Sequence, residues 1–512
     1  MSKYVSSVVV TLAAIAVLIT SHARAAPGPP GALDSSWATS STLGAGKVIT
    51  PIGSGDDIAY ALALQADGKL VLAGVCYGEV NEDFCAVRYD SNGALDASFG
   101  AGGKVVTPVG SNIDIARAVT LQPDGKLVLA GWCYGAAGYN FCALRYQANG
   151  TLDTSFGTNG KVITPVGSRD DRARALALQP DGKLILSGDC FNGLDNDFCA
   201  LRYNANGTLD TSFGSNASGT VITPVGSGYD FANALALQVD GKVVLAGYCA
   251  GATRSNFCAV RYKANGTLDT DFGVGGKVIT SIGSSTNEAH ALAVQPDGKL
   301  VLAGHCSSGG NPSFCALRYQ VDGALDTSFG PNGNGTVVTS LGSREAVAYA
   351  LVLQPDGKLV MAGQCFDSIS YDFCTLRYQP NGALDTSFGS NENGTAITPV
   401  GSTGDVATAL ALRPDGKLVL AGYCTNASAT NSDFCAAQLE GGPFGYKSCV
   451  MDIDGDGRVL ATTDALILTR IALGITGNAV IGGITFAPHS TRNTWPLIRD
   501  YLVSQCGMSL VQ

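Results

Sequence analysis

The chain has 512 residues, 46% hydrophobic and only 14% charged, with 66 Gly, 16 Cys and a formal net charge of −10. That is too apolar for a disordered chain and too Gly-rich for a helical bundle, and it lacks the basic excess of a nucleic-acid binder. An ordered, turn-rich, oxidised β protein remains.

Residues 1–25 read as a secretory signal peptide. Lys3 supplies the positive start, Val8 to Ile19 the apolar run, and Ala23-Arg24-Ala25 the small-x-small cleavage pattern. The run is short for a bilayer span, so no membrane span is expected after cleavage. Loss of Lys3 and Arg24 takes the formal charge from −10 to −12. Export leads to the periplasm, the cell surface or the medium, where disulfides persist.

Residues 26–46 form an N-terminal segment, and 47–440 are a repeat. LDxSFG begins at Leu95, Leu152, Leu209, Leu325 and Leu384, with a near copy at Leu268 and a degenerate LDSSW at Leu33; the spacings are 62, 57, 57, 59, 57 and 59. QPDGK or a variant ends at Lys69, Lys126, Lys183, Lys242, Lys299, Lys358 and Lys417, and FCALRY or a variant starts at Phe84, Phe141, Phe198, Phe257, Phe314, Phe373 and Phe434. Three registers agree on seven units.

Each unit reads as four strands. In the third they are Lys161 to Val166, the alternating Ala173 to Leu178, Lys183 to Ser187 after a Pro-Asp-Gly turn, and Phe198 to Tyr203. The expected fold class is all-β, a seven-bladed β-propeller of four-stranded blades, followed by a small α-helical C-terminal module with one EF-hand-like loop. An open β-solenoid is the rival; it would expect shorter repeats and specialised caps. With contiguous strands in each blade, no strand exchange is expected at closure.

These strings resemble the bacterial delta-60 repeat over about residues 33–440. The resemblance implies a propeller-like β repeat in exported or surface proteins and implies no substrate.

The six Arg at positions 88, 145, 202, 261, 318 and 377 each precede an LDxSFG-type connector, whereas blade seven has Gln438-Leu439 and no connector after it. Each Arg is expected to pair with the connector Asp, as Arg145 with Asp153. The orphan LDSSW should dock on the last blade.

Fourteen cysteines follow the repeat: Cys76 and Cys85, Cys133 and Cys142, Cys190 and Cys199, Cys249 and Cys258, Cys306 and Cys315, Cys365 and Cys374, Cys424 and Cys435. Flanking the loop between the third and fourth strands, they read as intra-blade disulfides rather than zinc ligands, which favour C-x₂₋₄-C.

The PDGK turns and the connectors repeat closely from copy to copy. The opposite rim varies, and with it one position entering the second strand: Tyr60, Arg117, Arg174, Asn233, His290, Tyr349 and Thr408. As exposed residues of a variable rim these are candidates for binding an extracellular glycan or protein, against simple drift between copies. The strings beginning at Asn149, Asn206, Asn265, Asn334 and Asn393 read as Asn-Gly turns.

After a linker at 441–448, residues 449–512 differ. Asp452, Asp454 and Asp456 alternate before Gly457, Arg458 offers a carbonyl, and Asp464 falls one place late for the bidentate acid of a calcium loop. This is similar to the EF-hand-like loop of dockerin modules, which carry two where this chain has one. A structural Ca2+ is therefore expected there. A helix is expected over Thr494 to Cys506, with Cys449 paired to Cys506.

The mature chain has three His, at 290, 305 and 489, read as falling in two blades and the C-terminal module, so no histidine cluster is expected. GxSxG, HExxH and P-loop motifs are absent. The functional expectation is a monomeric, exported, non-catalytic binding scaffold. The alternatives are a polysaccharide-degrading enzyme, using a carboxylate pair over the channel, and a structural surface protein.

Overall fold

The computed structural model describes residues 28–442, apart from 79, 136–137, 216–217, 252, 308–309, 343 and 427–430, and scattered positions between 453 and 504. The signal peptide, the residues 443–448 of the linker, the proposed ligands Asp452, Asp454, Asp456, Arg458 and Asp464, and the pair Cys449 and Cys506 lie outside the described residues.

Among the described residues, twenty-eight strands form seven antiparallel four-stranded sheets. Blade one runs outward through Ile58–Leu64, Leu70–Tyr77, Glu82–Tyr89 and Lys104–Thr107. The second and third strands are buried on both faces and read as unbroken apolar runs; the innermost strand alternates because one face lines the axis. Val71, Ala73 and Phe84 of blade one pack with Leu127, Leu129, Leu144 and Tyr146 of blade two, so the core lies between blades as much as within them. Innermost strands of neighbouring blades touch in a closed ring, the first against the seventh included.

Blades do not coincide with contiguous units. The strand expected to open each unit is the outermost strand of the preceding blade. Thus Lys161–Thr164 pairs with Gly138–Tyr146 of blade two, and blade three takes Thr220–Thr223. The expectation of no strand exchange is therefore overturned at closure. Blade seven contains Asp405–Leu412, Leu418–Thr425 and Ser432–Leu439, and its fourth strand is Lys47–Thr50 from the other end of the chain. An unpaired outer edge on the last blade would expose a ladder of free N–H and C=O groups, and the N-terminal strand removes it.

The N-terminal segment extends that closure. Leu33 pairs with Leu439, just as Leu95 pairs with Tyr89 in blade one. Pro30 accepts a bond from Gly389 N (2.7 Å), and Trp37 is buried where the other connectors place Phe.

All six expected Arg–Asp pairs form, with Nε to Oδ2 distances of 2.7–2.8 Å. The guanidinium does more than the pairing required. Arg145 also donates to Ala205 O of the next blade at 2.6 Å and lies over the Phe156 ring at 4.8 Å. The Lys of the DGK turn joins the same carboxylate, as Lys126 does with Asp153 at 3.3 Å. Each repeat Tyr hydroxyl reaches a Thr of the outermost strand one blade back, for example Tyr146 to Thr107 at 2.6 Å. The NGT strings form Asx turns: Thr151 N donates to Asn149 Oδ1 at 3.0 Å.

Seven disulfides join the second and third strands, with Cα separations of 5.7–5.9 Å. They are diagonal across the ladder: Cys76 faces Asp83 and Cys85 faces Gly74. Such a set fits an oxidising compartment. In the C-terminal region a helix covers Trp495–Ser504, and Ile453, Ile467, Val480, Ile498 and Leu502 cluster. Among the described residues no helix is long and apolar enough to cross a membrane.

Candidate functional site in the central channel

Every innermost strand carries a β-bulge at the same place. The register slips between Ala59 and Ala61 in blade one, and between the matching alanines of the other six. The bulged residues are Tyr60, Arg117, Arg174, Asn233, His290, Tyr349 and Thr408. A bulge re-aims its side chain, and here all seven line one cavity of about 320 Å³ on the axis. They are part-buried channel walls rather than exposed rim residues, which corrects their expected placement.

A glycine on the second strand makes each bulge possible. A Cβ on Gly304 would stand 1.9 Å from Glu288 O and 2.9 Å from the Ala289 Cα, and Gly74 meets Ile58 O in the same way. The AG dipeptide of LVLAG is thus a packing requirement of the bulge opposite.

A second variable ring adjoins the first. One residue before each bulge-flanking Ala stands opposite the residue between Gly and Cys: Phe231 faces Tyr248, Glu288 faces His305 and Val406 faces Tyr423. These residues lie at the start of the innermost strands, on the half of the channel nearer the variable loops.

Blades one to four build a ladder of rings and cations. The Arg117 guanidinium lies 3.9 Å from the Tyr60 ring centroid and 5.6 Å from that of Trp132. Arg174 lies 6.0 Å from the Trp132 ring and 5.2 Å from the Phe231 ring, which stacks on Tyr248 at 4.9 Å. Arg174 is neutralised by the buried Asp189, which Asn196 also holds at 2.8 Å. Arg117 has no carboxylate partner among the described residues. Burial pulls its pKa down, and the neighbouring Arg174 adds to that.

Blade five is different. His290 Nε2 and His305 Nδ1 are 3.2 Å apart, Asn233 Nδ2 lies 3.3 Å from His290 Nδ1, and the Tyr349 ring stands 5.2 Å from the His290 ring. The expectation of no histidine cluster is overturned: His290 and His305 occupy adjacent strands of one blade. Burial lowers His290 to about 3, helped by His305 and the two arginines, and lowers His305 to about 4. Both imidazoles are therefore neutral at neutral pH. Burial raises Glu288, and raises Tyr248 and Tyr349 to about 12. Thr408 closes the ring by donating to Ala59 O at 2.7 Å.

Six segments, residues 65–99, 122–156, 179–213, 238–272, 295–329 and 354–388, match the family model described as "Domain of unknown function (DUF5122) beta-propeller". Each runs from a DGK turn to an LDxSFG connector. The corresponding segment of blade seven is split between the two chain ends. No curated protein matches. Among solved structures, a catalytically inactive virginiamycin B lyase from Staphylococcus aureus is similar at 10% identity and TM-score 0.43, over 77% of this chain and 98% of that one. Sqt1 from Chaetomium thermophilum is similar at 12% identity and TM-score 0.40, over 78% and 100%. A PL25 ulvan lyase is similar at 10% and 0.39, over 77% and 96%. These likenesses say nothing about ligand or chemistry.

Proposed function

We propose that the protein is an exported, non-catalytic binding scaffold that takes an acidic extracellular glycan at the channel, with the variable loops around it. The observation that carries this reading is Arg117: a cation 3.9 Å from the Tyr60 ring centroid, in the channel wall, with no carboxylate partner among the described residues. A part-buried, unpaired guanidinium favours an anion, and its planar fork suits a carboxylate. Tyr60, Tyr248, Tyr349 and Tyr423 surround the cavity with surfaces apolar on the ring and polar at the hydroxyl. A sugar acid offers both complements: C–H faces for the rings and a carboxylate for Arg117. Residues 449–512 serve as a calcium-binding module that stabilises or tethers the propeller.

The test is calorimetry with uronic-acid and matched neutral oligosaccharides, and a thermal melt with and without Ca2+. Saturable binding of the acidic set, weakened at least about tenfold in Arg117→Met, is expected, since hydrogen bonds to a charged partner carry ~1.5–3 kcal/mol. Equal binding of both sets, or binding unmoved by the variant, sinks the acidic-glycan reading at Arg117, and no binding of either set favours a protein ligand on the rim. A melting temperature indifferent to Ca2+ removes the calcium role.

One observation favours a second reading, polysaccharide degradation: His290 and the carboxyl of Glu288, raised by burial, line the same channel. New reducing ends or unsaturated products from the same oligosaccharides would establish it.

A further inference from the structure

We propose that Glu288, His290 and His305 form a site for one divalent transition-metal ion of the Zn2+, Co2+ and Fe2+ class, set in the channel wall of blade five. The proposal does not depend on the glycan reading.

The three residues sit close by construction. Glu288 and His305 are directly opposed across the first two strands, and His290 is the bulged residue two places on from Glu288. One ligating atom from each lies within 4.8 Å of the other two. The two imidazole nitrogens are 3.2 Å apart. Two nitrogens bound at about 2.0–2.1 Å to one tetrahedral ion stand roughly 3.4 Å apart, so the separation of the pair already suits a shared ion and ring rotation would aim the lone pairs at it. Two His with one carboxylate suit borderline transition metals, whereas all-oxygen sets suit Ca2+ and Mg2+. The set leaves coordination positions open toward the channel.

The unloaded arrangement is incomplete in a way an ion would repair. Glu288 is a part-buried carboxylate with no hydrogen bond and no ion pair among the described residues. The two imidazoles have only each other at the facing nitrogens. The matching positions of blade three hold Arg172, Arg174 and Asp189, where Arg174 pairs with Asp189 and leaves no orphan acid. Rigidity comes from Gly304, whose missing Cβ lets the two strands close at the bulge.

Loading the site requires the proton between the rings to leave the gap. With the proton on His290 Nε2, its move to Nδ1 of the same ring keeps that ring neutral and faces Asn233 at 3.3 Å; with it on His305 Nδ1, the move is to Nε2 of His305. A flip of the Asn233 amide presents its oxygen as acceptor, at the cost of its 2.9 Å bond to Ala289 O. Asn233 is then a positioning residue of the kind that orients most metal-bound histidines.

The experiment uses the full untagged chain with its disulfides intact, stripped by chelator and titrated with Co2+ in excess Ca2+, which occupies oxygen-only sites. Calorimetry and visible d–d absorption are recorded. One Co2+ per chain is expected, weakened more than about tenfold in His290→Gln and in His305→Gln, and unchanged in His489→Gln. X-ray absorption of the wild-type Co2+ protein guards against a variant that fails to fold; it should show two imidazoles. No Co2+ uptake, a spectrum that survives the double His290→Gln/His305→Gln change, or an absorption pattern without imidazole overturns the proposal. Glycan binding by the stripped protein would show that the two readings stand or fall separately.

Discussion

Gln438 Nε2 donates to Asp34 Oδ2 at 2.6 Å, across 404 residues of chain. The same oxygen takes Lys417 Nζ at 2.5 Å. In the other six blades this place holds an Arg–Asp–Lys trio within one stretch of chain. In blade seven the acid arrives from the N-terminus, so one carboxylate marks where the ring is sealed. Burial opposes its charge, but Lys417, Ser36 and Gln438 together hold its pKa below the ordinary value.

Replacement of Asp34 by Ala therefore leaves the buried Gln438 amide without its acceptor, and Lys417 with only Glu440 and the Ser36 hydroxyl. A buried orphan of this kind costs about 1–3 kcal/mol. A lowered denaturation midpoint is expected in Asp34→Ala. Removal of residues 26–50 should do more, because it strips the fourth strand from blade seven and opens an edge; light scattering should then report self-association. A truncated chain that stays monomeric with an unchanged midpoint would show that the closure contributes nothing.

The inter-blade Arg is the most heavily used side chain of the repeat. Arg145 touches Asp153, Ser155, the Phe156 ring and Ala205 O. Arg145→Met removes the charge and leaves Lys126 as the one cation on the buried Asp153, beside its Ser155 hydrogen bonds. Breaking a buried pair from one side costs about 3–5 kcal/mol. Burial opposes the Asp153 charge, but the Ser155 hydrogen bonds and Arg145 hold its pKa below the usual carboxylate range. Its contribution is fully present above the ordinary Asp pKa and is lost progressively as pH falls below that value toward the lowered folded pKa. Chemical denaturation at neutral pH should show the full loss in the variant, and the gap from wild type should narrow toward pH 3.

Gly304 separates packing from function. Gly304→Ala drives a Cβ into Glu288 O and should cost about 1–3 kcal/mol of overpacking. Gly310 has open space on all sides, so Gly310→Ala should be silent. Because Gly304 touches no cavity residue through a side chain, a change in Co2+ uptake in this variant would report the bulge itself. Equal melting temperatures for the two variants would contradict the account.

Much of this architecture was legible in the sequence. Seven copies of DGK, FCALRY and LDxSFG announce seven units, the Arg–Asp pairs follow from the contrast at Gln438, and the paired cysteines carry the disulfides. The blade boundary was not legible. KVIT sits beside ALALQPDGK along the chain, yet it pairs backwards with the preceding FCALRY, and local pattern does not distinguish the two. The channel was half legible. Variation at Tyr60, Arg117 and Tyr349 was visible, but an alternating strand places that position on either face, and the bulge decides which. The available signal was Ala-x-Ala standing opposite Ala-Gly in six copies and Ser187-Gly188 in the third. His290 and His305 could have been paired by the same reasoning, since both fall between one KVIT and the next.

Asp372 gives the last test. It lies on the third strand of blade six, with one carboxyl oxygen buried and unpartnered. Burial first, then the nearby Asp367 and Asp405, raise its pKa to about 7. A carboxyl raised on folding favours the protonated native state. Its contribution is therefore fully present below the ordinary Asp pKa and is lost as pH climbs toward 7. Asp372→Asn supplies a permanently neutral group of the same shape. The variant should melt close to wild type at pH 4 and roughly 2–4 °C higher at pH 8. A parallel shift at both pH values would mean that Asp372 is ionised throughout and that Asp367 and Asp405 do not act on it.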